Sequence, residues 1–467
     1  MRIALTLVFV AGCFGADLGP RLTKLVESAP ASVRGIAGIH VVELATGKVV
    51  YSLNEDQLLL PASNLKLFTA ALALSRLRPD YRMETKLVRE ASGNVVLIGA
   101  GDPSLSGRAY PYDAKAALLP SLHAVDELVE QAVAMGLRRV EGDVVGDDQR
   151  YPWSPYPESW TADDVLHGYG APVSALAVND NVVTITVRAA ARAGELAHVE
   201  LDPPFEYFQI DSRVTTGSGA LRVARVPGTR QVLLSGSVRA GTSASETIAV
   251  DDPALFAAHA LYESLLRHGV AVRGRPVARH HLEAATGTQL AVRQSPPLEE
   301  LLRTTLKVSQ NLHAEMLLRE VGLRQQGQGT VDAGLRELKV LLGELKIAPA
   351  ALVSEDGSGL ARNDEVTPRA VTQLLAAMDA GDLGELWRGL LPVGGQDGTL
   401  SNRLCCVAET VGIRAKTGSL SRAVALSGYA DGPANGRLAF SILVNNFSAP
   451  AAEVRAWVDR LASALVE

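Results

Sequence analysis

The stretch PASNLKLFTAALAL, Pro61 to Leu74, decides the reading of this chain. A proline and small residues give way to a helical run with almost no polar position on any face, so the helix has to lie in a core. Its head carries Ser63 and Lys66, a Ser-x-x-Lys pair. Residues three apart on a helix share a face, so the lysine amine can take the serine proton. The helix start adds positive potential that favours a developing oxyanion. An isolated Ser-x-x-Lys is common and reads more readily as a capping serine beside a solvated lysine. The apolar residues after it, which hold the helix start in a core, bring the two readings level.

Working outward, GIHVVELATGKVVYSL (38–53) alternates apolar and polar residues about Thr46-Gly47, a hairpin signal. It follows an amphipathic helix over Leu18 to Glu27. The far end mirrors this, with alternating strands RAVALSGYAD (422–431) and RLAFSILVNN (437–446) and a helix from Ala451. Both ends therefore offer material for one α/β sandwich. Between Arg82 and about Pro297 the texture changes to short strands and turns, as in NVVLIGAGDPSL (94–105) and NVVTITVRA (181–189), with helices near 122–135 and 253–268. This block reads as an insertion. The expected organisation is a catalytic domain split into 18–81 and 285–467, with one or two inserted domains over 82–284.

Two further motifs carry chemistry. Ser309-Gln310-Asn311 stands where the apolar stretch of LKVSQNLHAEMLL leads into a helix, and a capping Ser309 is the plain alternative. Lys416-Thr417-Gly418-Ser419 lies at the head of a strand, where glycine suggests close approach of another backbone; a turn is the alternative. The three motifs occur in the order Ser-x-x-Lys, Ser-x-Asn, Lys-Thr-Gly, the signature set of penicillin-recognising serine acyl transferases. Lys66 and Ser309 are 243 positions apart, far more than in β-lactamases. The chain thus resembles the D-alanyl-D-alanine carboxypeptidase/endopeptidase family of low-molecular-mass penicillin-binding proteins of the large-insert, class C type. The stretches YGAPVSALAVNDN, EDGSGLARND and LPVGGQDGTL resemble that family too, while DDQRYPWSPYPESW matches loosely.

The resemblance implies an α/β (α+β) fold with a serine β-lactamase/transpeptidase-like catalytic domain and a β-rich insert. It implies Ser63 as nucleophile on a terminal D-Ala-D-Ala bond and Lys66 as general base. Ser309 and Lys416 would return the proton to the leaving amine, and Asn311 would hold the substrate amide. Thr417 and Ser419 would bind the terminal carboxylate, Gly418 lies between them in the substrate-binding strand, and the N–H groups of Ser63 and Ser419 would form the oxyanion hole. Partners implied are peptidoglycan stem peptides and, as covalent inhibitors, β-lactams. No cofactor is implied. Arg414 or Arg422 could add charge for the carboxylate, though a solvated strand arginine is the plainer reading. Asp147, Asp148, Asp356 and Asp397 are candidates for a diaminopimelate amine or, more simply, turn formers beside glycine.

Other classes fare worse. The 467-residue chain is 47% hydrophobic and has net charge −6 without a basic block, which excludes disorder and a nucleic-acid footprint. None of the nine histidines forms an H-E-x-x-H cluster, and no metal-ligand spacing stands out. A β-lactamase is disfavoured by the long insert and by the missing E-x-x-L-N stretch. A non-catalytic envelope-binding homologue is disfavoured by the intact motifs. Residues 1–15 read as a signal peptide, with Arg2 before a short apolar run. Val10-Ala11-Gly12-Cys13 resembles a lipoprotein box; lipid anchoring at Cys13 and ordinary cleavage after Gly15 both stay open, and either implies export to the periplasm or cell envelope. Cys405 and Cys406 are adjacent, a poor geometry for a disulfide, and are expected as buried small hydrophobes.

Overall fold

The computed structural model describes residues 18–226, 228–280, 286–405, 412–432 and 436–467. The signal segment with Cys13, and Cys406, lie outside them. The chain divides into two compact units, Met1–Asn64 with Ala350–Leu352 and Glu365–Glu467, and Leu65–Pro349 with Val353–Asp364. The division falls between Asn64 and Leu65, inside the first motif.

The first unit is built on a five-stranded antiparallel sheet in the order Val49–Leu53, Ile36–Glu43, Gly436–Asn445, Ala423–Gly432, Ile413–Leu420. Strands from the two ends of the chain thus share one sheet, as their matching alternation implies. The two neighbouring central strands, Ala423–Gly432 and Gly436–Asn445, are almost wholly buried, so they read as apolar runs rather than strict alternations. On one face, Leu18, Leu22 and Val26 of the first helix join Val454, Trp457 and Leu461 of the last helix over Val424, Leu426, Phe440 and Ile442. The helix Pro368–Ala380 packs on the strands Ile36–Glu43 and Gly436–Asn445. Tyr429 reaches it, donating its hydroxyl to the Leu375 carbonyl at 2.6 Å and accepting from Trp387 Nε1 at 2.9 Å.

The second unit holds the helix Lys66–Leu77 packed on the helices Leu298–Lys307, Asn311–Gln326 and Val331–Glu344. Its β-rich part has a mixed five-stranded sheet, Pro276–Arg279, Val144–Asp147, Val95–Ile98, Glu84–Arg89, Thr288–Gln294. Two smaller sheets are built on Val182–Arg188 and Gln231–Val238. The helices His123–Ala134 and Pro253–Arg267 fill one apolar cluster with these sheets. The large sheet reaches past residue 284, because Thr288–Gln294 pairs with Glu84–Arg89 and brings Leu290 and Ala291 into the cluster. Among the described residues no helix is long and apolar enough to cross a membrane. Cys405 is exposed, which corrects the expectation of a buried thiol: it follows a bend and belongs to no helix or strand that would turn it inward.

Trp457 is fully buried and donates Nε1 to the Leu25 carbonyl at 3.1 Å, joining the first and last helices of the sandwich. Trp457→Ala should lower stability by about 3–5 kcal/mol, and Trp457→Phe, which keeps most of the apolar volume, by about 1–2 kcal/mol. Urea unfolding followed by circular dichroism measures both.

Candidate active site

Ala62–Leu65 form a 3₁₀ turn that leads straight into the helix Lys66–Leu77, so the helix begins two residues later than the apolar run suggests. Ala62 has φ 46°, a left-handed conformation that a non-glycine residue adopts only when its surroundings impose it. Ser63 follows it, half-buried at the head of the helix.

Within the first unit the Lys-Thr-Gly motif lies in the edge strand Ile413–Leu420. A side chain at Gly418 would place its Cβ 2.6 Å from the Pro61 carbonyl oxygen and 3.2 Å from the Ala62 Cβ. The close approach expected at this glycine is therefore to the turn that carries Ser63. Lys416 is fully buried and donates Nζ to the Thr417 carbonyl at 2.8 Å. Thr417 donates its hydroxyl to Thr399 Oγ1 at 2.8 Å, while Ser419 is exposed.

Within the second unit Lys66 and Asn311 meet. Lys66 is fully buried and donates Nζ to Asn311 Oδ1 at 2.6 Å and to the Ser358 carbonyl at 2.7 Å. The Asn311 amide is fixed at its other end, where Nδ2 donates to the Tyr169 carbonyl at 2.8 Å. Ser309 does not cap the helix Asn311–Gln326; Gln310 does, its side-chain oxygen accepting from Leu312 N at 3.3 Å. Ser309 instead takes φ 62°, a second strained position at a motif. A cleft of about 660 Å³ opens on Ser309 and Asn311 and continues past His167, Tyr169 and Thr247.

Burial pushes the Lys66 amine down to about 8, against the charges of Asp356, Glu315 and Asp364, which pull it upward. At pH 7 roughly one such lysine in ten is neutral, compared with fewer than one in a thousand at the ordinary value. His313, beside the second motif, is buried with Nε2 3.1 Å from Asp180 Oδ1.

The secondary candidates are bonded within the protein. Asp147 accepts from Gln149 N at 3.1 Å, Asp148 from Ser174 Oγ at 2.8 Å, and Asp397 from Val393 N at 2.8 Å. Arg422 donates to the Phe447 and Asn446 carbonyls at 3.1 and 3.2 Å. Asp356 is enclosed by backbone N–H groups of its own loop. Three groups escaped the sequence reading: the Ser358 carbonyl, Thr399 and Glu315. The stretches EDGSGLARND and LPVGGQDGTL contain the first two, so the resemblance pointed at the segments without assigning the residues. Glu315 lies on a helix with no strong apolar stripe.

The chain thus carries a buried amine of lowered basicity three residues after a half-buried serine, the pair expected of an active-serine acyl transferase. Residues 20–465 match the family model described as D-Ala-D-Ala carboxypeptidase 3 (S13) family. A D-alanyl-D-alanine carboxypeptidase from Actinomadura sp. (strain R39) is 35% identical over 96% of this chain and 86% of its own length. The D-alanyl-D-alanine carboxypeptidase DacB from Haemophilus influenzae is 23% identical over 88% of this chain and 85% of its own. The crystal structure of penicillin binding protein 4 (dacB) from Haemophilus influenzae superposes with TM-score 0.81 and 22% identity, covering 96% of this chain and 99% of that one. The chain belongs to the D-Ala-D-Ala carboxypeptidase 3 (S13) family.

Gly418→Val should push the motif strand away from the Pro61–Ala62 backbone. Because a displacement of about 1 Å costs on the order of a hundredfold, acylation by a fluorescent penicillin should fall by about that factor while the circular dichroism spectrum is kept.

Proposed function

We propose that the chain is a serine-type D-Ala-D-Ala carboxypeptidase that acts on peptidoglycan stem peptides through an acyl-enzyme on Ser63. The observation that carries this reading is the buried Lys66 amine, held by Asn311 and the Ser358 carbonyl, in a chain with all three motifs in family order.

In the proposed cycle neutral Lys66 takes the Ser63 proton as Oγ attacks the carbonyl carbon of the penultimate D-Ala. The N–H groups of Ser63 and Ser419 stabilise the tetrahedral oxyanion. Collapse breaks the C–N bond, and the leaving amine takes up a proton relayed by Ser309 and Lys416. Thr417 and Ser419 hold the terminal carboxylate across Gly418, and Asn311 orients the acyl-side amide. Water then hydrolyses the ester and regenerates Ser63. The same steps cut a D,D-crosslink when the leaving amine belongs to a second stem peptide. A β-lactam enters the same first step, and its opened ring stays on the serine. The signal-like segment at residues 1–15 supports export to the periplasm or cell envelope, with lipid anchoring at Cys13 as one form of it.

Penicillin should add one penicilloyl group per chain by intact-protein mass spectrometry, and Ser63→Ala should abolish it. Labelling that survives this substitution would sink the assignment. Digestion of purified peptidoglycan should release free D-alanine.

The second-order acylation rate should rise about tenfold per pH unit below pH 8 and level off above it, since only the neutral amine is a base. Lys66→Ala should remove acylation, and His313→Gln should leave the limb in place. A limb lost with His313 would mean that another base operates.

A further inference from the structure

Asp356 has no solvent exposure, yet its carboxylate gathers six donors. Oδ1 accepts from Ser358 N at 2.9 Å and Gly359 N at 2.6 Å. Oδ2 accepts from Leu360 N at 3.0 Å, Ala361 N at 2.9 Å, Ser358 Oγ at 3.1 Å and Trp160 Nε1 at 2.9 Å. Four successive backbone N–H groups wrapped on one carboxylate make a concave turn whose shape depends on that charge. Its outer rim is made of carbonyls. Gly357 O receives the Thr69 hydroxyl at 2.6 Å, and Ser358 O receives Lys66 Nζ at 2.7 Å. Lys66 and Thr69 are three residues apart and share a helix face, so the turn is fastened to the face that carries the amine. From the neighbouring helix Glu315 Oε1 accepts from Gly357 N at 2.8 Å.

The titratable groups facing Lys66 are therefore Asp356 and Asp364 from the loop and Glu315 from the helix Asn311–Gln326; burial, with the Asp356 charge beside them, pushes the Asp364 carboxyl well above the usual range and the Glu315 carboxyl up to about 7. Arg319 lies against Glu315 at 3.3 Å and moderates its charge. A purely structural staple would need only the donors; this one also places a negative charge where it acts on the amine. A general base must hold the proton it takes, and burial alone makes the amine a weak base.

We propose that Asp356 is a positioning residue for the general base: its carboxylate folds the turn that presents the Ser358 carbonyl to Lys66 and sustains the basicity of the buried amine. The inference rests on the reading of Lys66 as the base for Ser63.

The test is the second-order rate of acylation by a fluorescent penicillin, from pH 5.5 to 10, in the full chain and its variants. Asp356→Asn keeps the size of the side chain and removes the charge. Losing a nearby negative charge disfavours the ammonium, so the neutral amine persists to lower pH and the rising limb should move acidward by about one pH unit. The plateau should fall at least about tenfold, because the base is weaker and less firmly held. A plateau that falls with the limb unmoved would show a structural staple only and overturn the proposal. If Asp356→Asn fails to fold by circular dichroism, Glu315→Gln carries the test. It keeps an acceptor for Gly357 N and removes the charge that Glu315, whose carboxyl burial pushes up to about 7, carries on the upper part of the limb, so the limb should move acidward there, and a stationary limb overturns the proposal. A wild-type protein that takes no penicilloyl group at Ser63 overturns the functional reading and this inference together. Normal labelling with stationary limbs overturns this inference alone.

Discussion

A lysine amine removed from water is the constraint on which the rest of this site depends. Burying an ammonium is costly unless its three donors find acceptors and nearby charge offsets the lost hydration. Lys66 meets the first demand with the Asn311 amide and the Ser358 carbonyl, and the second with Asp356 and Glu315. The balance brings the amine down to about 8, close enough to neutrality to suit the proposed role of a base that accepts and returns a proton. Burial sets the direction, and the carboxylates limit how far it goes.

That demand organises the second unit. The helix that bears Lys66 is largely apolar because it lies among three other helices, and its buried polar side chains are Lys66 and Thr69. The loop at 356–361 folds around its own carboxylate and presents carbonyls outward to that face. Asn311 stands at the first turn of its helix, where its amide is tied to both Lys66 and the Tyr169 carbonyl. Each acceptor for the ammonium is thus held by a further bond, which keeps the geometry when the amine loses its proton.

The first unit solves a different problem. It brings an edge strand against the turn that holds Ser63, and only the missing side chain at Gly418 allows the backbones to approach. The neighbouring strands are buried on both faces, and Ile413–Leu420 is left at the edge of the sheet. The start of that strand is covered, with Ala415 N donating to Pro392 O and Gly394 N donating to Ile413 O, both at 3.0 Å; an uncovered stretch of edge strand is a natural place to lay an extended peptide.

Much of this was legible in the sequence, because short-range spacing writes it directly. The three motifs, the paired strands at the two ends and the β-rich interruption all follow from residue order and periodicity. So does the need for glycine at 418. What the sequence left open depends on contacts between segments far apart in the chain. Ser309 reads as a helix cap, and only packing forces it to φ 62° and passes the cap to Gln310. Asp356 reads as a turn former beside glycine, which it is; that the turn serves an amine 290 positions earlier appears only once the loop meets the helix. Glu315 sits on a helix without a strong apolar stripe and gave no signal. Local pattern determines which elements form, since propensity and hydrophobic period act over a few residues. The direction of a carbonyl, the strain at a motif and the charge beside a buried base were decided by tertiary structure, because each needs a partner that the neighbouring residues cannot supply.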